Sequence, residues 1–146
     1  MSSRPAGYSG TPLPQKLGIK EGARLALLGA PDGFDDTLGA LPPGVRISRR
    51  AQGSFDVLVC FLTKRSELER RIDGLKRALD FSGGLWIGWP KRASGLATDV
   101  TEDVVRELAL AHGLVDNKVC AIDETWSGLR LVYRLTDRPA KERSKG

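Results

Sequence analysis

The chain has 146 residues, of which 40% are hydrophobic, and its formal net charge is +5 with an isoelectric point near 9.5. This length and apolar fraction fit one domain with its own core. No apolar run approaches the ~18 residues of a membrane-spanning helix, and Met1 to Gly10 lacks the apolar segment of a secretory signal. We therefore expect a cytoplasmic protein without a membrane partner, whose basic balance permits but does not predict binding to anions.

Three segments are predicted along the chain. Residues 1–12 are polar and rich in Ser and Gly, which is typical of a flexible N-terminal arm. Residues 13–136 are predicted to form a single α/β domain. Residues 137–146 are predicted to be a disordered basic tail, because positive charge is concentrated in Arg138 to Lys145.

The first half of the domain is predicted to contain short elements. One helical turn is expected within Pro12 to Ile19, and a buried strand over Arg24 to Leu28, bounded by Gly and Pro. A short helix over Phe34 to Leu41 and a brief strand over Val45 to Ser48 follow. The continuous apolar run from Phe55 to Leu62 predicts a central strand covered on both faces.

A longer helix is predicted after this central strand. Ser66 is the expected N-cap, with Glu69 three residues later as its capping-box partner. Spacings of four and three predict a buried helical stripe of Leu68, Ile72, Leu75 and Leu79. Ser82-Gly83-Gly84 is expected to end the helix, and Leu85 to Trp89 to form the fourth strand.

The segment from Lys91 to Val100 is predicted to be a loop, and its length is typical of functional loops. Asp99 is the expected N-cap of the next helix, with Glu102 at the reciprocal position. The buried stripe of that helix is predicted to be Val104, Val105, Leu108 and Ala111. Gly113 is placed to end the helix.

Two further strands are predicted over Lys118 to Asp123 and Gly128 to Leu135, joined by Glu124 to Ser127. Such a short link implies an antiparallel hairpin, whereas the alternating strands and helices before it imply parallel crossovers. The predicted fold class is therefore α/β, with three layers and a mostly parallel, Rossmann-like sheet of about six strands that ends in an antiparallel C-terminal hairpin.

A candidate ligand site is predicted where the parallel strands end, since open α/β sheets bind ligands at the carboxyl ends of their strands. The candidate residues are Gly29, Asp32, Thr63, Lys64, Trp89, Lys91 and Asp99. With Lys91 as its charge, such a site would suit a nucleotide or another anionic small molecule. The alternative is a solvated rim in which Asp99 is only a helix cap.

A candidate interaction surface is predicted at the hairpin, formed by Asp123, Glu124, Trp126 and Arg130. Exposed Trp and Arg are typical anchors of protein interfaces. The alternative is a polar turn with Trp126 packed over a sheet edge. Trp86 and Trp89 are expected on opposite faces of one strand, Trp86 in the core and Trp89 beside a pocket.

The remaining reactive residues predict no metal site, and they leave open which residues, if any, are catalytic. Cys60 and Cys120 lie in predicted strands and are expected to be two buried thiols without a disulfide. No His/Cys cluster has metal-ligand spacing, and His112, the only histidine, lies where a helix dipole favours a cation. Basic pairs such as Arg49-Arg50 leave weak nucleic-acid binding as an alternative.

The domain resembles the Rossmann-like methyltransferases. The stretch Ala78-Leu79-Asp80-Phe81-Ser82-Gly83-Gly84-Leu85 is similar to the L-x-x-G-G that precedes a late strand in that fold. The turn Gly29-Ala30-Pro31-Asp32-Gly33 departs from the Gly-rich cofactor motif, because Pro31 removes a backbone donor. The second strand ends in Ser48-Arg49-Arg50, without the carboxylate that would accept from a ribose. No cofactor is therefore expected, S-adenosylmethionine included.

A second resemblance covers about residues 8 to 135. The strings that carry it are Tyr8 to Ile19, Leu85 to Lys91 and Asp116 to Arg130. They resemble an uncharacterised bacterial family, the domain-of-unknown-function family numbered 3052, which has no established activity to transfer.

The function that these patterns favour is a non-catalytic binding or protein-interaction domain on a degenerate methyltransferase-like scaffold. One alternative is an enzyme or binder for a nucleotide or another phosphorylated small molecule. Weak nucleic-acid binding is the second alternative. Neither the ligand, the protein partner nor the oligomeric state follows from the sequence.

Overall fold

A computed structural model describes residues 10–138, so most of the predicted arm and tail lies outside the described residues. One sheet contains six strands in the order β2-β1-β3-β4-β6-β5. The strands are β1 (Arg24–Leu28), β2 (Arg46–Ser48), β3 (Phe55–Phe61), β4 (Leu79–Pro90), β5 (Leu114–Ala121) and β6 (Trp126–Tyr133).

The sheet is parallel from β2 to β4 and antiparallel at its C-terminal hairpin. β1 pairs in parallel with β2 and with β3, and β3 pairs in parallel with β4. β6 runs antiparallel to both β4 and β5. The predicted fold class is confirmed: α/β, with a mostly parallel six-stranded sheet and an antiparallel terminal hairpin.

Helices cover the two faces of the sheet unequally. One face packs against α3 (Arg65–Ala78) and α4 (Glu102–Ala111). The other face packs against α1 (Leu13–Leu17) and α2 (Phe34–Leu38), which have only five residues each. Alternate residues of the central strands enter the two cores, as the two-residue period of a strand requires. None of the helices within residues 10–138 has the length and apolar character to cross a membrane.

Trp86 fastens the short helix α1 to the sheet. Its side chain is fully buried, and its indole N–H donates a hydrogen bond of 3.0 Å to the carbonyl of Leu17. Leu17 is the last residue of α1, and Gly18 follows it with a φ of 80° that favours glycine. The indole N–H therefore donates to one of the carbonyls that a helix end leaves without an intrahelical partner.

The predicted end of the long helix was wrong. Helix α3 ends at Ala78, and Leu79 already belongs to β4, so Ser82-Gly83-Gly84 lies inside a strand of 12 residues. The pairing of β3 with β4 shifts register between Phe55 and Val57, which is the irregularity of a β-bulge. A Cβ on Gly83 would lie 2.5 Å from the carbonyl oxygen of Asp56, so the glycine reflects close packing of two strands.

Other predicted element boundaries also differ from those in the structure. β5 begins at Leu114, four residues before the predicted Lys118, and β6 occupies Trp126–Tyr133. Polar residues near the start of β5 interrupt the apolar pattern of a buried strand. β5 is an edge strand, which pairs with a neighbour on one side only and tolerates such residues. Ala111 is exposed, and Ala109 takes its predicted place in the core beside Val105 and Leu108.

Two predicted helix caps were wrong. The N-cap of α3 is Lys64 rather than Ser66, and the side chain that serves this end is Asp99, whose Oδ1 accepts from the N–H of Arg65 at 2.7 Å. Helix α4 is capped by Thr101, whose hydroxyl accepts from the N–H of Val104 at 3.2 Å. The loop before α4 passes over the start of α3, so Asp99 serves the helix that is distant in sequence.

We expect Trp86→Phe to lower the free energy of unfolding by about 2 kcal/mol, because it leaves the Leu17 carbonyl unpaired and a small cavity behind. Urea denaturation would measure the change. Val119→Thr, at a side chain that is 54% exposed on β5, is the control and should stay within about 0.5 kcal/mol of the unsubstituted protein. Equal effects of the two substitutions would contradict the role given to Trp86.

We expect Asp99→Ala to cost about 1 kcal/mol, the usual effect of removing a side chain that accepts from a helix N-terminus. Asp32→Ala is the matched control, since Asp32 is exposed and no hydrogen bond joins its side chain to another described residue. Thermal unfolding of both variants should separate them. A loss for Asp32→Ala as large as that for Asp99→Ala would argue against the cap.

Candidate functional site

The candidate ligand residues follow the carboxyl ends of three parallel strands. Gly29 and Asp32 follow β1, Thr63 and Lys64 follow β3, and Lys91 follows β4. We call this edge of the sheet the carboxyl rim. The strand order reverses between β1 and β3, so the crevice between these two strands is where an open α/β sheet would bind a ligand.

Three aromatic side chains fill this crevice on the α1/α2 face, and we call them the aromatic cluster. Phe34 is the first residue of α2, Phe61 the last of β3, and Trp126 the first of β6, and their exposed fractions are only 2%, 5% and 8%. The ring of Phe61 lies edge-to-face with Phe34 at 4.9 Å and with Trp126 at 5.1 Å between centroids. These buried rings therefore form a packed layer beside the carboxyl ends of β1 and β3.

The backbone at Gly29 narrows the crevice further. Gly29 has a φ of 66°, and a Cβ there would lie 2.9 Å from the carbonyl oxygen of Phe61. This glycine is thus required by its own conformation and by the close approach of β3. Its role in the structure is internal packing.

The hollow after β1 is acidic. It has a volume of about 360 Å³ and is lined by Asp32, Asp35 and Asp36 together with Arg49. The guanidinium of Arg49 lies 3.2 Å from both carboxylate oxygens of Asp35. Three carboxylates against one arginine do not favour a phosphate in this hollow.

The hollow after β3 lies on a different part of the rim. Its volume is about 480 Å³, and Thr63, Lys64 and Asp99 are among its lining residues. The hydroxyl of Thr98 donates to the carbonyl of Thr63 at 2.7 Å, which ties the long loop down against this strand end. Asp99 is occupied as the acceptor for the start of α3.

Trp89 and Lys91 lie apart from these two hollows. Trp89 is 7% exposed and lines a third hollow of about 390 Å³ with Arg92 and Leu96. The N–H of Lys91 donates to the carbonyl of Thr125 at 2.7 Å, which places Lys91 beside the hairpin. The structure therefore does not bring Asp32, Lys64 and Trp89 into one cavity.

The candidate interaction residues of the hairpin have separate structural surroundings. Asp123 accepts from the N–H groups of Thr125 and Trp126, each at 2.8 Å, and so closes the turn. Trp126 lies within the aromatic cluster, and Glu124 is exposed at the turn. Arg130 is half-buried, and its guanidinium lies directly over Gly84, which has no Cβ to displace it.

The two cysteines have raised pKa values. Burial raises the pKa of the Cys60 thiol to about 11. Burial also raises the pKa of the half-buried Cys120, although Lys16, Lys118 and Lys91 act in the opposite direction. Both cysteines are free, but only Cys60 is buried, so the prediction of two buried thiols was wrong for Cys120, which lies on the edge strand β5. A raised pKa does not favour a nucleophilic role for either thiol.

His112 follows the last residue of α4, and its ring Nδ1 lies 2.7 Å from Oδ1 of Asp73 in the second half of α3. Within residues 10–138 no three His, Cys, Asp or Glu side chains are grouped in a way that could hold a metal ion.

Sequence reasoning missed Phe34 and Phe61 as the residues that shape the crevice. Phe34 directly follows the turn after β1, and Phe61 is the last residue of a run that was already predicted to be buried. Large rings at the start of α2 and at the end of β3 were the available signal. The contact of Phe61 with Trp126, a residue more than sixty positions away, could not be inferred from sequence spacing.

Comparison with known proteins shows the fold but no family. No protein-family model matches the chain, and no curated protein matches it by sequence. The resemblance to the uncharacterised bacterial family therefore stays a prediction.

Several solved structures share the fold. An S-adenosylmethionine-dependent methyltransferase from Aquifex aeolicus matches with a TM-score of 0.55 and 15% identity, over 80% of this chain and 85% of that one. A precorrin-6y C5,15-methyltransferase from Geobacter metallireducens matches with a TM-score of 0.57 and 13% identity, over 84% and 86%. The fibrillarin pre-rRNA processing protein of Methanococcus jannaschii matches with a TM-score of 0.58 and 14% identity, over 79% and 68%. The chain thus has the α/β fold of the S-adenosylmethionine-dependent methyltransferases.

Proposed function

We propose that this chain is a non-catalytic protein-interaction domain built on a methyltransferase-like scaffold. The observation that carries the proposal is the aromatic cluster of Phe34, Phe61 and Trp126, which fills the crevice between the carboxyl ends of β1 and β3. A ligand at this position would have to displace three interlocked, buried rings. The free-energy cost of that rearrangement would make the binding free energy of the ligand less favourable.

The turn after β1 supports the same proposal. Proline at position 31 has no N–H, and its carbonyl already accepts from the N–H of Phe34 at 3.1 Å. The turn leads into α2, a helix of five residues, so it lacks the long helix whose N-terminus holds the phosphates of a dinucleotide. At the end of β2, Arg49 pairs with Asp35 where a ribose-binding carboxylate would be expected.

The separation of the polar rim residues argues for the same function over the small-molecule alternative. Asp32, Lys64 and Trp89 line three different hollows, and Lys91 lies beside the hairpin. A pocket for a phosphorylated ligand needs a few polar groups that converge on one space. Asp32, Lys64 and Lys91 instead offer single charges at separate places.

A thermal-shift screen tests the proposal. Its panel contains S-adenosylmethionine, S-adenosylhomocysteine, ATP, NAD and inorganic phosphate, each at millimolar concentration. A ligand at 100 times its Kd adds about 2.7 kcal/mol to the unfolding free energy, which corresponds to a rise in Tm of roughly 5–10 °C. We expect no ligand of the panel to raise Tm by as much as 2 °C, on the order of the scatter of such measurements.

A reproducible rise in Tm would overturn the proposal, and two variants would then locate the ligand. Lys91→Ala removes the charge on which the small-molecule alternative depends. Lys20→Ala removes an exposed lysine far from the carboxyl rim and is its matched control. A rise that Lys91→Ala abolishes and Lys20→Ala preserves would establish an anion site at the rim.

A further inference from the structure

The outer side of β5 is an open strand edge. β5 ends the sheet, and its eight residues pair only with β6 within the described part of the chain. The N–H of Ile122 donates to the carbonyl of Trp126, which makes Ala121 and Ser127 a non-hydrogen-bonded pair of the ladder. Hydrogen-bonded and non-hydrogen-bonded pairs alternate along an antiparallel ladder, so Val119 and Leu129 also form a non-hydrogen-bonded pair. The N–H and C=O of Val119 therefore point away from β6, towards the open edge.

Contacts at this edge agree with that geometry. The carbonyl of Ala121, which also points outwards, accepts a hydrogen bond of 2.9 Å from the ammonium of Lys16 on α1. The Val119 side chain is 54% exposed, the largest exposure of an apolar residue on the strand. An extended backbone could therefore pair with β5 at Val119 without displacing a packed side chain.

Three lysines surround the end of this strand, and we call Lys16, Lys91 and Lys118 the lysine cluster. They come from α1, from the residue after β4 and from β5, and the ammonium of Lys118 donates to the carbonyl of Lys16 at 3.2 Å. The charges that act on the pKa of Cys120 at their centre are these three lysines, with no carboxylate among them.

Positive charge continues onto the neighbouring strand. Lys118 lies directly opposite Arg130 in the β5–β6 pairing, and like charges in such a pair destabilise a sheet. Burial, and secondarily the charge of Arg138, lowers the pKa of Arg130. Lys118 and Arg130 thus place two positive charges side by side on one face of the hairpin, and an anionic partner would relieve their repulsion.

Protection of the edge accounts for only part of this charge. One lysine on an edge strand, together with the irregularity between Asp116 and Lys118, is enough to discourage strand-to-strand aggregation. Lys16 and Lys91 come from other parts of the chain and are not needed for that purpose. Their convergence on one edge is the feature that requires another explanation.

The hairpin face favours a peptide over a nucleic acid. Trp86 and Trp126 on this face are buried, with exposed fractions of 0% and 8%, so no ring on the hairpin is available for bases to stack on. An open edge with outward N–H and C=O groups is instead the surface that binds an extended peptide by strand addition.

We propose that the β5 edge and the lysine cluster bind an acidic, extended segment of a partner protein, which adds to the sheet as a further strand. Backbone hydrogen bonds at Val119 would hold the segment. Alternate residues of a strand, about 6.8 Å apart, point to one face, so a segment with acidic residues at every second position would direct them towards Lys118 and the rest of the cluster. This inference rests on the proposed interaction function and names the surface that performs it.

Fluorescence anisotropy with a labelled eight-residue peptide of alternating Glu and Thr tests the inference on the full chain at low salt. The same length of alternating Lys and Thr is the charge control. We expect the acidic peptide to bind and the basic peptide not to bind. Lys118→Glu should weaken binding at least about tenfold, whereas Arg70→Glu, the same change of charge at an exposed position of α3, should leave it unchanged.

A second pair of variants tests strand addition separately from charge. Val119→Pro removes the outward N–H without removing a ladder hydrogen bond, as an edge position allows. Val119→Thr keeps the N–H and the β-branched shape. We expect Val119→Pro to weaken binding at least about tenfold and Val119→Thr to leave it within a factor of about two, with circular dichroism of both variants confirming that the sheet is retained.

Three results would overturn the inference. They are no binding of the acidic peptide, equal binding by Val119→Pro and the unsubstituted protein, and tighter binding of a twelve-nucleotide oligothymidylate that Lys118→Glu abolishes. The last result would assign the surface to nucleic acid. None of these depends on the small-molecule screen, so failure of the peptide site and failure of the proposed function are distinguishable.

Discussion

Strands β3 and β4 must be covered on both faces, and the rest of the structure follows from how that requirement is met. From Val57 to Leu62 and from Gly83 to Pro90 every residue is buried. On one face two helices of 14 and 10 residues supply the cover. On the other face α1 and α2 have five residues each, too few to shield the same area. Large side chains have to complete this thin layer.

The thin layer explains both the closed crevice and the exposed hairpin. Over β3 and β4 the missing helical cover is replaced by the buried rings of Trp86, Phe34, Phe61 and Trp126. Over the same face of β5 and β6, no helix within residues 10–138 extends the cover beyond α1, so polar and charged side chains face outwards there. The packed aromatic cluster and the open β5 edge are thus two results of one packing arrangement.

Much of the fold was predictable because its signals are local. Continuous apolar runs located β1 and β3, the three-four spacing located α3, and the short link from Glu124 to Ser127 predicted the antiparallel hairpin. The errors fell where a distant contact decides the outcome. Asp99 caps a helix that begins 34 residues earlier, and Gly83 marks a bulge whose cause is the carbonyl of Asp56 in another strand.

The candidate site was harder to predict than the fold. Chain order placed Asp32, Lys64 and Lys91 at one edge of the sheet, but not the distances between them. Whether side chains at strand ends converge depends on loop paths, which carry no periodic signal. The lysine cluster shows the same limit, since its members are separated by up to 102 positions and meet only through the packing of α1 against β5.

The interlocking of the three rings also restricts how this sequence could evolve. Removing one buried phenylalanine costs about 3–5 kcal/mol, while a domain of this kind has only about 5–15 kcal/mol of stability in total. A cavity large enough for a ligand would require at least two of the rings to be replaced by smaller side chains. Intermediates along that path would be close to unfolding before they gained any affinity for a ligand. Substitutions among the buried rings are therefore hard to accumulate. New functions are more accessible on the exposed edges of this scaffold than at its centre.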